Sequence, residues 1–262
     1  LMQVLGAVAR LKSHGMFESA LMTEWENAAV AAMDRFLPKE LANLVFLLSI
    51  FRREEFVASH RFFTRWFDAC RHAIPHFQPL DVGMTLVGLG HSAVDVPQRL
   101  FDGLLLRAID EMHHSSPQHL RLLLLGAINL SPPHHSHESH DFRVAWLEHA
   151  SEVIANPTEP PSFAGPDRGA DPGNQTAAGQ EPRSMAPVGA WWHLHDAMAA
   201  MRSHAEKAKY NAWMLPSAQF ARAWADTAAR MAAQEGEADP EAIEVLRYFG
   251  FEDLGEMLVR YG

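Results

Sequence analysis

The chain has 262 residues, 48% of them apolar, enough to bury a core in one large domain or two small ones. Its 22 Lys and Arg stand against 32 Asp and Glu, a formal net charge of −10, which excludes a surface that grips nucleic acid all over but leaves room for a local basic groove. A single cysteine, Cys70, excludes a disulfide framework and a cysteine-based zinc finger.

In chain order, the first segment is Leu5-Gly-Ala-Val-Ala-Arg-Leu11, apolar and short, which reads as one helix. The chain opens on Leu1 rather than Met, which leaves room for an upstream targeting segment. A second helix is expected over roughly 16–35, carrying Trp25. Pro38 followed by Glu40 marks the next helix start, and Leu41, Leu44, Val45, Leu48 and Phe51 fall on one stripe at helical spacing. The apolar run from Leu41 to Phe51 is 11 residues long, well short of the roughly 20 a membrane span needs. A helix over 55–74 carries Phe62, Phe63, Trp66, Phe67 and Cys70 on one side, so Cys70 reads as a core thiol. Pro79 with Asp81 starts another helix, and 97–113 carries Leu100, Leu104, Leu105 and Ile109. Ser115-Ser116-Pro117 starts the next, and a helix over 140–155 carries Trp146. No alternating apolar and polar run of useful length occurs, so the fold class is all-α.

Residues 156–187 are different: 7 of these 32 are Pro and 4 are Gly, with Phe163 and Met185 the only large apolar groups. Such a stretch buries too little surface to offset its ordering entropy and reads as a linker. Residues 188–262 return to helical patterning. Trp191, Trp192, Met198, Met201 and Ala205 mark one helix, and Phe220, Trp224, Ala228 and Met231 a second. Two short helices follow, the first capped by Asp239-Pro240.

The prolines at 38, 79 and 117 are 41 and 38 residues apart, and nine residues beyond each stands Leu47, Gly88 or Gly126. The period predicts stacked antiparallel helix pairs. In each, a Pro-started first helix ends near a small residue that admits the next helix, and an aromatic second helix fills the gap to the next pair. The expected architecture is an α-solenoid over 1–155 of about four units, the first truncated, then the linker and a C-terminal helical extension over 188–262.

The pattern Phe-x-Pro-x-x-Leu followed by Leu-x-Gly-Leu or Leu-Gly-Ala, best at Phe77 to Gly90 and Ser116 to Leu130, resembles the octotricopeptide repeat. It is similar to the helical repeats of FAST-kinase-like and RAP-domain organellar proteins. The resemblance implies a mitochondrial protein, or alternatively a plastid one, that contacts RNA in transcript processing, translation or ribosome assembly.

Candidate contacts follow from charge. Arg52, Arg53, Arg61, Arg65 and Arg71 lie within 20 residues, interleaved with His60, Phe62, Phe63 and Trp66. Arginine forks take phosphates bidentately and aromatics stack bases. The alternative is a solvated helix end over a buried aromatic stripe, because Glu54 and Glu55 adjoin Arg52 and Arg53. His134, His135, His137 and His140 lie in a Pro-Pro-started stretch without His-Glu-x-x-His spacing, and read as a surface loop rather than a metal site. No catalytic residues, metal or other cofactor are expected. The expected role is a non-enzymatic subunit of an organellar ribosome that touches rRNA or other organellar RNA and neighbouring subunits, without membrane insertion. The alternatives are a protein scaffold in a respiratory or ATP-synthase complex, or a free RNA-processing factor.

Overall fold

In a computed structural model the described residues are 19–51, 58–92, 94–130, 136–155, 186–208, 213–235 and 238–260. Among them are eleven α-helices and no strand: α1 Ser19–Ala32, α2 Pro38–Phe51, α3 His60–Ala73, α4 Pro79–His91, α5 Gln98–Asp110, α6 Pro117–Leu130, α7 His137–Ala155, α8 Ala186–Ala208, α9 Ala218–Glu235, α10 Pro240–Tyr248 and α11 Glu252–Val259. None is long and apolar enough to cross a membrane. The segment around Leu5–Leu11 lies outside the described residues, as does most of the linker. Helix α8 begins at Ala186, two residues before the sequence pattern resumes, because Ala and Pro suit a helical first turn.

Pro38, Pro79 and Pro117 each begin a helix, and the chain reaches each in the same way. A single 3-10 turn precedes it (Met33–Arg35, Ile74–His76 or Met112–His114). The next residue closes that turn and leaves it extended. Phe36, Phe77 and Ser115 donate their N–H to the carbonyls of Met33, Ile74 and Met112 at 3.2, 3.0 and 2.9 Å. Their φ/ψ pairs are −70/136°, −69/137° and −82/123°. The residue two past each proline then accepts a hydrogen bond from the N-cap backbone: Leu37 N to Glu40 Oε2 at 2.8 Å, Gln78 N to Asp81 Oδ2 at 3.0 Å, and Ser116 N to His119 Nδ1 at 3.3 Å. These contacts satisfy an orphan N–H that the helix itself cannot pair.

The third joint uses a titratable ring where the others use carboxylates. Burial holds the His119 pKa below its usual value, opposed by the neighbouring Asp81 carboxylate. Only a ring with a bare Nδ1 accepts the Ser116 N–H. The lowered pKa means that below about pH 6.5 the unfolded chain binds more protons than the folded one, so stability rises with pH there. The cap contribution is therefore complete above about pH 6.5 and is lost as pH falls through the lowered folded value. His119→Gln, an uncharged acceptor, is expected to flatten the stability-against-pH curve between pH 7.5 and 5 by about 1 kcal/mol, read by urea titration.

The largest contacts of the first rows join helices two elements apart, and consecutive helices touch as well. Helix α4 packs against α2 and α6, and α6 also against α8; α3 packs against α1 and α5, and α7 against α5 and α9. Glycines set the closest approaches in the first row. A Cβ on Gly88 of α4 would lie 2.7 Å from the Val45 carbonyl carbon and 2.8 Å from the Phe46 N of α2. A Cβ on Gly126 of α6 would lie 2.6 Å from Val87 N. Tryptophans tie the second row to the first: Trp66 and Trp146 are fully buried and donate to the carbonyls of Leu41 and Leu120 at 3.1 and 2.9 Å. Each acceptor stands three residues beyond its helix-starting proline.

The pattern continues past the linker. The ring of Trp146 meets Phe220 of α9 edge-on at 5.5 Å, and Arg121 of α6 pairs with Asp196 of α8 at 2.8 Å. Arg230 of α9 reaches the Ile154 carbonyl at the end of α7, 3.5 Å away. The last two helices dock similarly, α10 on α8 and α11 on α9. Asp239 caps α10 by accepting from Glu241 N at 2.9 Å, and its other oxygen lies 3.2 Å from Nε2 of His195 in α8.

Candidate nucleic-acid interface

Helix α3 presents the described part of the arginine cluster. Its N-cap, Ser59, accepts from Phe62 N at 3.2 Å, and Glu26 of α1 accepts from the Ser59 backbone and hydroxyl. The apolar stripe faces inward: Phe62, Phe63, Trp66, Phe67 and Cys70 are buried. The aromatics interleaved with the arginines are therefore core, and base stacking on Phe62, Phe63 or Trp66 is excluded. Burial also pushes the Cys70 thiol well above the ordinary thiol range, leaving an inert core group as its place on the stripe predicts.

Arg61, Arg65 and Arg71 point outward, as helical spacing requires. Arg65 pairs with Asp34 in the first connector at 2.7 Å, and Arg71 pairs with Asp68 on its own helix at 3.0 Å. Among the described residues no ion pair or hydrogen bond engages the Arg61 guanidinium. Arg61 and Arg65, four residues apart, share a recess of about 430 Å³ with Thr64 and with Val30 and Ala31 of α1. Arg52 and Arg53 lie outside the described residues, so the cluster is seen here as a pair of neighbours plus Arg71.

The histidine stretch divides. His134 and His135 lie outside the described residues, while His137 and His140 sit in the first turn of α7. The loop expected through His140 is thus helix from His137, because Ser136 caps it by accepting from Ser139 N at 3.2 Å. His137 lies 2.7 Å from Asp141 one turn on. Among the described residues no three His, Cys, Asp or Glu side chains gather as metal ligands would.

Sequence reasoning missed Asp34. It is 31 residues before Arg65 and only a connector fold brings the two together. The corresponding back-contacts elsewhere are Arg107 of α5, which donates to the Phe77 carbonyl at 2.9 Å, and His149 of α7, 3.3 Å from the Ser115 carbonyl. Helices α3, α5 and α7 thus each reach back to the connector that precedes the helix before them. No protein-family model, characterised protein or solved structure matches the chain.

Proposed function

We propose that the chain is an α-solenoid of stacked antiparallel helix pairs and a non-enzymatic structural subunit of a large organellar ribonucleoprotein, in the first place a mitochondrial ribosome. Its work in this reading is contact. The observation that carries it is the repeated joint: the same 3-10 turn, extended residue and proline-started helix at 33–38, 74–79 and 112–117, with the largest helix contacts two elements apart. Repeats of this kind expose long surfaces along a stack and bury little else. The likeness of residues 77–90 and 116–130 to the octotricopeptide repeat supports the organellar setting.

RNA contact is assigned to Arg61 together with Arg52, Arg53 and Arg65. The test is binding of the full chain to single-stranded RNA between 50 and 200 mM salt. Salt-dependent affinity that falls about tenfold or more when Arg52, Arg53, Arg61 and Arg65 are reversed to Glu is expected. Undetectable binding at low salt, or binding indifferent to those reversals, would overturn it. A protein scaffold without RNA contact is the second reading. The carboxylates already paired with Arg65 and Arg71 favour it.

A further inference from the structure

We propose that the recess between α1 and α3 binds a phosphate group of an RNA strand between Arg61 and Arg65, and that Asp34 holds Arg65 in the phosphate's place when no strand is bound. This rests on the RNA-contact reading and specifies where one phosphate sits and what competes for it.

Three features carry it. The first is an unengaged cation: Arg61 has no described partner, whereas Arg65 and Arg71 both do. The second is the shape of the recess. Its volume of about 430 Å³ suits a phosphate with part of its sugar, and its lining combines Arg61, Thr64 and Arg65 of α3 with Val30 and Ala31 of α1. Guanidinium forks four residues apart on one helix face can close on one tetrahedral oxyanion from two sides.

The third feature is the contrast among the back-contacts to the connectors. In the second pair Arg107 binds a backbone carbonyl and Glu111, with both side chains of that ion pair under one fifth exposed (18% and 17%). In the first pair Arg65 binds a side-chain carboxylate instead, and the exposures are 44% for Arg65 and 72% for Asp34. An ion pair this exposed is worth little, so a phosphodiester that two guanidinium groups hold together can displace it. Asp34 can swing into solvent without leaving a buried charge behind. Among the described residues, Glu26 is engaged by Ser59 and Asp68 by Arg71.

The test is calorimetric titration of the full chain with inorganic pyrophosphate at 50 mM salt. Asp34→Asn frees Arg65 and is expected to tighten binding about fivefold, the equivalent of a surface ion pair of roughly 1 kcal/mol. Arg61→Ala is expected to weaken it about tenfold, and Thr64→Glu, which places a carboxylate at the rim, to abolish it. All three positions are exposed, and melting by circular dichroism checks that each variant folds. The proposal is overturned if Asp34→Asn leaves affinity unchanged or lowers it, if Arg61→Ala binds as the parent does, or if neither the parent nor Asp34→Asn binds pyrophosphate. It is also overturned if a poly-glutamate peptide binds the recess as tightly as pyrophosphate, which would assign the arginines to an acidic protein. RNA binding that depends on Arg52 and Arg53 but not on Asp34 or Arg61 would remove this recess while leaving the RNA-contact reading in place.

Discussion

Gly126→Ala is expected to cost about 3 kcal/mol of unfolding free energy, read as a fall in the urea midpoint with unchanged slope. In an open helix the same change gains about 0.5–1 kcal/mol, because alanine loses less conformational entropy on folding. The sign reverses here because the new methyl group has nowhere to go. It would lie 2.6 Å from Val87 N and 2.7 Å from the Leu86 carbonyl carbon, and backbone cannot rotate aside as a side chain can. Helices α4 and α6 would have to part by a fraction of an ångström along their whole contact, loosening the buried Leu86, Leu123 and Ala127 packed beside it. Gly88→Ala should behave alike, since its methyl would meet Val45 and Phe46 backbone. Gly103→Ala in α5 is the control. Only the mobile tip of Ile74 stands near, at 3.4 Å, so a small gain is expected.

Trp146→Ala is expected to cost about 4 kcal/mol and to make residues 186–259 the first part of the chain cut by protease. Trp146 is fully buried, donates to Leu120 O and meets Phe220 edge-on. It therefore touches α6 and α9 at once, and its loss opens a cavity where a large aromatic joins the helices before residue 156 to those after residue 185, beside the second such contact of Phe142 with Trp213 at 6.4 Å. Trp146→Phe separates the two contributions: it keeps most of the filling and loses the indole N–H, and should cost about 1 kcal/mol. If the alanine variant resists protease as the parent does, the aromatic is not what holds the two parts together.

The joints were legible because they rest on local chemistry. Proline at a first helical position, with Glu40 or Asp81 two residues on in the first two joints and a glycine nine on in the last two, is a short-range demand of the backbone that a period of about 40 exposes in the sequence, whereas His119 as the third acceptor was not read. Glycines 88 and 126 were legible as close approaches for the same reason, and the aromatics of α3 as core from their spacing. The environment of the arginines was only partly legible. Asp34 meets Arg65 only after two helices and a connector have packed, while Asp68 and Arg71 stand at i, i+3 spacing on one helix, a pairing the sequence offered and that was not read. Nor could the seating of α8 on α6 and α9 on α7 be read from the chain. Helices α8 and α9 start at Ala186 and Ala218 rather than on a proline, so only their apolar faces reveal where they belong.

That seating has a consequence for how the chain is assembled. Earlier joints join one pair to the next through five or six residues, whereas 30 separate Ala155 from Ala186, yet the same faces meet. The contacts across that gap predict that fragments 1–155 and 186–262, made separately, recombine in solution with an affinity that falls when Trp146, Arg121 or Arg230 is replaced by alanine, read by titration calorimetry.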